Sequence, residues 1–334
     1  MGDSETSVYS IHGLLVSSQM PLEAPRIDGS SREEEARGSE SHSSEYQIAA
    51  GEPRDVPHRP PPGPLLAELR LGELAFWASE DGEKRGRWTL RYAGTCDVVL
   101  DSEQRRIVVH ACPGSDPGII STLLGAGVLS HALTAEGRLV LHAAAVEVGG
   151  RALAIAGPSG AGKSTVAALL CAGGARLVTD DALRIDPIDG AAVCFPGNQT
   201  LRLRPTAASL GEEIEGAELS ESADGRTTVG PPHVAGAPLE LAAVLLPLPS
   251  REASEPGVAR LSAREGLVEL ISNPRLAAWQ VTWPVVQHFD ASAKLAESVP
   301  VYRATVPWGP PFQPALAAEL LSTLSSPAVR PASG

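Results

Sequence analysis

Residues 153–174 read LAIAGPSGAGKSTVAALLCAGG, and the order of events within them decides the fold. Leu153 to Ala156 has the composition of a short buried strand, and Ser164 to Ala172 that of an apolar helix closed by Gly173-Gly174. Between them Gly157-Pro158-Ser159-Gly160-Ala161-Gly162-Lys163-Ser164-Thr165 satisfies G-x-x-x-x-G-K-[ST] in the strand-to-helix setting that this pattern requires. Each residue type has a physical reason to be there. Glycines let the backbone turn tightly enough for successive N–H groups to face one polyphosphate, and the helix start adds the positive end of its dipole. Lys163 supplies a cation for the β- and γ-phosphates, Ser164 a hydroxyl for Mg²⁺, and Thr165 a contact to the α-phosphate. The chain has only three lysines, Lys84, Lys163 and Lys294, so a lysine at the position the pattern demands is not a product of abundance.

Outward from this stretch, Arg176 to Thr179 reads as the next strand, and it delivers Asp180 and Asp181 seventeen residues after Lys163. Neighbouring residues on a strand face opposite ways, so two adjacent acids divide their work: one serves the metal and the other accepts a proton from an attacking hydroxyl. Upstream, Leu139 to Val148 is a strand carrying His142. Downstream, Leu201-Arg202-Leu203-Arg204 places two arginines on one strand face, where such residues more often face solvent and the alternative is a contact with phosphate or acceptor. Leu239 to Pro247 and Val301 to Val306 are further strands, and Leu261 to Ile271, Gln287 to Ser298 and Pro314 to Leu324 are helices. Strands alternating with helices predict an α/β unit with a parallel sheet over 138–326, followed by a flexible tail, 327–334. Glu212 to Pro238, rich in Gly, Ser, Glu and Pro, is expected to be a mobile loop.

The first 137 residues have another grammar. Val8 to Val16 reads as one strand, and residues 1–22 as the opening of a smaller β-rich domain that resumes over 65–137. Period-two runs at 87–92, 97–100 and 105–112 give antiparallel strands, and a helix capped by Asp116 with Pro117 at its first position runs toward Gly137. The interruption, 23–64, is acidic and then Pro-rich and predicts a flexible insertion. The five tryptophans are scattered and read as core or rim residues.

Across 334 residues, 27 Lys plus Arg against 40 Asp plus Glu give a net charge of −13, with 43% hydrophobic residues. Such a chain lacks the basic footprint of a nucleic-acid binder. Its four cysteines are widely spaced, without the C-x-x-C or Cys/His spacing of a zinc site, and fit a reducing compartment. With no signal-like N-terminus and no uninterrupted apolar run of membrane length, the expectation is a cytoplasmic protein without membrane or nucleic-acid partners.

The run from Leu141-His142-Ala143-Ala144 through the glycine loop to Leu177-Val178-Thr179-Asp180-Asp181 resembles the catalytic core of the HPr serine kinase/phosphorylase family. The match covers about residues 139–187. Leu201 to Pro205 and Val299 to Arg303 are more loosely similar. The N-terminal strands are similar to those of HPr-kinase-related proteins encoded with peptide-modification systems, including kinases of lasso-peptide precursors. The resemblance implies a P-loop HPr-kinase-like catalytic domain behind a smaller β-rich domain, with ATP and Mg²⁺ used to phosphorylate a serine-type hydroxyl on a peptide or small protein. In that family's terms Asp180 is the base, Asp181 with Ser164 the metal side, and His142 a residue that orients or tunes the site, beside Lys163. The resemblance stops short of the family's Gly- and Arg-rich segment ending in Pro-Gly-Arg: Pro231-Pro232-His233 and Pro256-Gly257-Val258 lack the arginine. Phosphorolysis and HPr as substrate are therefore not implied. A second reading is a nucleotide-gated module that holds a peptide without phosphoryl transfer.

Overall fold

A computed structural model describes residues 6–27, 45–72, 74–82, 84, 86–222 and 225–325, so part of the expected insertion and the expected tail lie outside the described residues. The chain divides into two compact units, one of residues 1–140 with 276–287 and one of residues 141–275 with 288–334.

The first unit is built on a sheet of β1 (Ser7–Ile11), β2 (Leu14–Ser18), β3 (Glu45–Ala50), β4 (Leu65–Leu71), β5 (Leu74–Glu80), β6 (Arg87–Tyr92), β7 (Cys96–Asp101) and β8 (Arg106–Ala111). Their order is β1-β2-β3-β8-β7-β6-β5-β4. Alternation of buried and open residues along β1, β2, β3 and β8 gives the sheet one apolar face. On that face lies α1 (Pro117–Ala135), whose Asp116 side chain caps Gly118 N and which passes through a π-helical stretch at Leu123–Val128. Among the described residues this helix is long and apolar enough to cross a membrane, but Ile120, Leu124, Val128, Leu129 and Leu133 are buried in the unit's core. It is therefore a core helix, of the length expected from its cap at Asp116 and its end before Gly137.

Three expectations about this unit are corrected. Val8 to Val16 is a hairpin, turned at His12 and Gly13, both with positive φ. The 23–64 segment is not uniformly flexible, because β3 sits between β2 and β8 with Tyr46 and Ile48 buried. Nor are the tryptophans merely scattered: the rings of Trp88, Trp279 and Trp283 lie 5.9–6.2 Å apart between centroids, with Trp279 and Trp283 contributed by the late segment 276–287.

β9 (Leu139–Leu141) carries the chain into the second unit, so the expected strand 139–148 breaks at His142. The second unit holds β10 (Ala143–Val148), β11 (Arg151–Ala156), α2 (Lys163–Ala172), β12 (Arg176–Thr179), β13 (Leu183–Ile188), β14 (Ala191–Cys194), β15 (Leu201–Leu203) and α3 (Ser209–Glu213). There follow β16 (Glu218–Glu221), β17 (Thr227–Gly230), β18 (Leu239–Ser250), β19 (Gly257–Arg260), α4 (Ala263–Ile271), α5 (Trp283–Ser298, shared with the first unit), β20 (Val301–Pro307) and α6 (Leu316–Ser325). The sheet is mixed rather than parallel throughout. β11, β18 and β20 run parallel, while β10 lies antiparallel between β11 and β12. The chain thus crosses from β11 through α2 to β12 over one intervening strand. α2 is buried from Val166 to Cys171 without a gap, against Val146, Ile155 and Leu245 of the sheet and Leu316 and Leu320 of α6. A helix apolar on every side belongs inside a fold, and this one fixes the loop that precedes it. The expected mobile loop 212–238 contains β16 and β17, and β17 lies between β15 and β16 in a small antiparallel sheet.

Candidate active site

The main sheet brings the carboxylates after β12 and His142 before β10 to the loop, whereas Arg202 and Arg204 reach it from β15 of the small sheet and the residue that follows it. β11 ends at Ala156, and Gly157 (φ +146°), Gly160 (φ +87°) and Gly162 (φ +90°) turn the chain through conformations that side chains resist before α2 begins at Lys163. Gly162 is the helix N-cap, and no side chain caps that end, which leaves first-turn N–H groups for a ligand. Lys163 folds back so that Nζ donates to Gly157 O at 2.9 Å and Pro158 O at 3.1 Å. Burial lowers its pKa, an effect that the carboxylates of Asp180 and Asp181 oppose.

The two acids part just past the end of β12, which stops at Thr179. Asp180, 3% exposed, accepts from the Ser164 hydroxyl at 2.9 Å and from Arg202 N at 3.1 Å. Burial and the neighbouring Asp181 charge raise its pKa. Asp181 has a left-handed backbone (φ +73°), which swings its side chain out of strand alternation. One oxygen lies 3.2 Å from His142 Nε2, and the other accepts from the Arg275 guanidinium at 2.9 Å. Burial pushes its carboxyl up, but Arg275 and then His142 outweigh that and hold it well below the usual carboxylate range. His142 owes its place to the break between β9 and β10, where its N–H donates to Asn273 O.

Most of these groups, though not Arg275, line one cavity of about 430 Å³, within the size range of small-molecule ligand sites. His142, Ser159, Gly160, Gly162, Lys163, Ser164, Thr165, Asp180 and Asp181 all face it. Gly157 and Ala161 do not: Gly157 binds Lys163 through its carbonyl, and Ala161 N closes the turn on Pro158 O. Arg202 on β15 and Arg204 just after it line the cavity, which is the less usual of the two placements open to them, with Arg204 beside Gly160. Four cations (Lys163, Arg202, Arg204, Arg226) against two carboxylates make this wall basic within an acidic chain. Arg275, Arg226, Trp308 and Phe312 were missed by sequence reasoning. Arg275 follows Asn273-Pro274 in a connection with no motif, and only the fold brings it to Asp181.

Among the described residues no group of three or more His, Cys, Asp or Glu could hold a metal alone. The donors present suit a divalent ion shared with a ligand's phosphates. Asp180 is a buried carboxylate whose hydrogen-bond donors, the Ser164 hydroxyl and backbone amides, are neutral, and a cation beside Ser164 would add a direct charged partner to the attraction of Lys163.

No protein-family model matches the chain, and no curated protein matches it either. Among solved structures it is similar to the Hpr(Ser) kinase/phosphatase from Coxiella burnetii. That similarity is at 13% identity, over 56% of this chain and 95% of that one, with a TM-score of 0.29. A likeness that distant carries no argument, and the site's own chemistry has to.

Proposed function

We propose that the second unit binds ATP with Mg²⁺ and transfers the γ-phosphoryl group to a serine-type hydroxyl, on a peptide or small protein. One observation carries this reading: the glycine loop, Lys163, Ser164, Asp180, Asp181 and His142 meet in a single basic cavity. The loop and the α2 N-terminus would hold the phosphates, with Lys163 exchanging its two carbonyl partners for phosphate oxygens. Ser164 and Asp180 would hold Mg²⁺, which when bound would supply electrostatic stabilisation of the charge that develops during transfer.

The geometry favours the reverse of the division that the resemblance implied for the aspartates. Asp180 is bonded to Ser164 and almost fully buried, the place of a metal-side acid. Asp181 has a side chain about a third exposed, at 34%, and faces the cavity, where an acceptor hydroxyl can reach it. In this reading Asp181 takes the acceptor's proton, while His142 and Arg275 hold its carboxylate in place and ionised. Because its proton affinity is low, Asp181 acts late, once the hydroxyl has lost electron density to phosphorus. The acidic chain would favour a neutral or basic acceptor. Free cysteines throughout fit a reducing, cytoplasmic setting.

Intact-mass analysis tests the reading. Full-length protein with ATP, Mg²⁺ and serine-containing basic peptides should add one phosphate to a peptide, and Lys163→Ala should abolish the addition. ATP bound with no phosphate ever transferred would leave a nucleotide-gated binding module instead.

A further inference from the structure

On the side of the glycine loop away from Asp180 and Asp181, the cavity wall changes character. In the strand sequence β12-β10-β11-β18-β20 the carboxylates leave β12 and His142 enters β10, both on one side of β11. On the other side β18 and β20 run parallel to β11 and so end at the same edge of the sheet. Their ends supply Pro249, Val306, Pro307, Trp308 and Phe312, a continuous apolar and aromatic surface. It adjoins the loop, since a side chain at Gly162 would lie 3.7 Å from the Pro249 ring. Trp308 is held by its own N–H, which donates to Ser250 O at 2.8 Å, and its ring is 4.0 Å from the Arg251 guanidinium. Arg251 does not line the cavity, whereas Trp308 does, and Trp308 remains 55% exposed. Phe312 closes back on the same turn: a β-carbon at Gly309 would come within 2.4 Å of its ring.

The Trp308 ring packs on the Arg251 guanidinium yet stays more than half exposed, and it faces a cavity whose other half is built for a polyanion. A ligand with phosphates at one end and a flat aromatic group at the other matches both halves. With its terminal phosphates at Lys163, its aromatic end must point away from the carboxylates, toward β18 and β20. We propose that Trp308, with Pro249 and Phe312 beside it, is the stacking platform for the nucleobase of the bound nucleotide. This rests on the nucleotide reading above and adds to it the residues that distinguish a nucleotide from a bare polyphosphate.

Base stacking on an aromatic side chain commonly contributes about tenfold or more in affinity. The test is calorimetric titration of the full chain with ATP and with inorganic tripolyphosphate, each with Mg²⁺. Wild-type protein should bind ATP at least about tenfold tighter than tripolyphosphate. Trp308→Ala should weaken ATP alone and bring the two within about threefold, whereas Trp308→Phe, which keeps a ring, should retain most of the difference. Unchanged tripolyphosphate affinity in Trp308→Ala shows that the loop is still folded, and Lys163→Ala should weaken both ligands together. If Trp308→Ala keeps the wild-type ratio of the two affinities, the platform is refuted while the nucleotide site stands. That is also the result expected if this wall receives the acceptor. If wild-type protein binds neither ligand, the nucleotide reading fails and the platform with it.

Discussion

Asp180 and Asp181 are consecutive, yet one is buried against Ser164 and the other stands between His142 and Arg275. The cause is the left-handed backbone of Asp181, an uncommon conformation for a residue with a side chain, held here by the contacts of Arg275 and His142 with its carboxylate. Separate roles imply separate phenotypes. Asp181→Asn should lower kcat by about 10²-fold or more, the scale of losing a proton acceptor, while leaving ATP affinity within a few-fold. Asp180→Asn should instead weaken Mg²⁺-dependent nucleotide binding, measured by titrating Mg²⁺ at fixed ATP. The opposite pattern would return the base to Asp180. Arg275→Met should resemble Asp181→Asn in kcat, because an unheld carboxylate is badly placed, and its effect should vanish in the Asp181→Asn background.

Among the elements, α1 tests how closely the first unit is packed. A β-carbon at Gly127 would lie 2.8 Å from the Tyr92 hydroxyl and 3.8 Å from the ring carbon that bears it, so the hydroxyl alone is the obstacle. Gly127→Ala should cost about 1–3 kcal/mol in denaturant unfolding, and in a Tyr92→Phe background the same change should cost markedly less. Equal costs in both backgrounds would place the clash elsewhere. In the second unit Arg184 and Asp186 form an ion pair at 2.5 Å with both side chains almost fully buried. Asp186→Ala removes the carboxylate from this buried guanidinium and should cost about 3–5 kcal/mol in denaturant unfolding. What the sequence disclosed at this scale follows the strength of each local signal. The loop, α2 and β12 were legible because glycine, a scarce lysine and unbroken apolar runs leave few alternatives. β16, by contrast, is exposed along its whole length and so shows no alternation to find. β3 was hidden because Tyr46 and Ile48 sit in an acidic, Ser-rich neighbourhood that reads as disorder, and its place in the sheet comes from distant partners, β2 and β8. Within the site, residues on the motifs were found and residues brought by tertiary crossings, Arg275 and Trp308 above all, were not.

For the whole molecule, the division into two units makes ligand binding a measurement of where function resides. Every residue assigned above to phosphate, metal, base or acceptor belongs to the second unit. A ligand at a hundred times its dissociation constant stabilises the state that binds it by about 2.7 kcal/mol, roughly a hundredfold slowing of exchange wherever amides open through loss of that state. Hydrogen exchange on the full chain, with and without ATP and Mg²⁺, should therefore show protection over 157–172, 177–181 and 301–309. Amides of β6 to β8 and of α1 should exchange as before, since no group there meets the ligand. Lys163→Ala should erase the protection at the same ligand concentration. Protection appearing first in β6 to β8 would overturn the assignment of the nucleotide to the cavity beside Lys163, because a linked stabilisation cannot be strongest where the ligand makes no contact while leaving its own site unchanged.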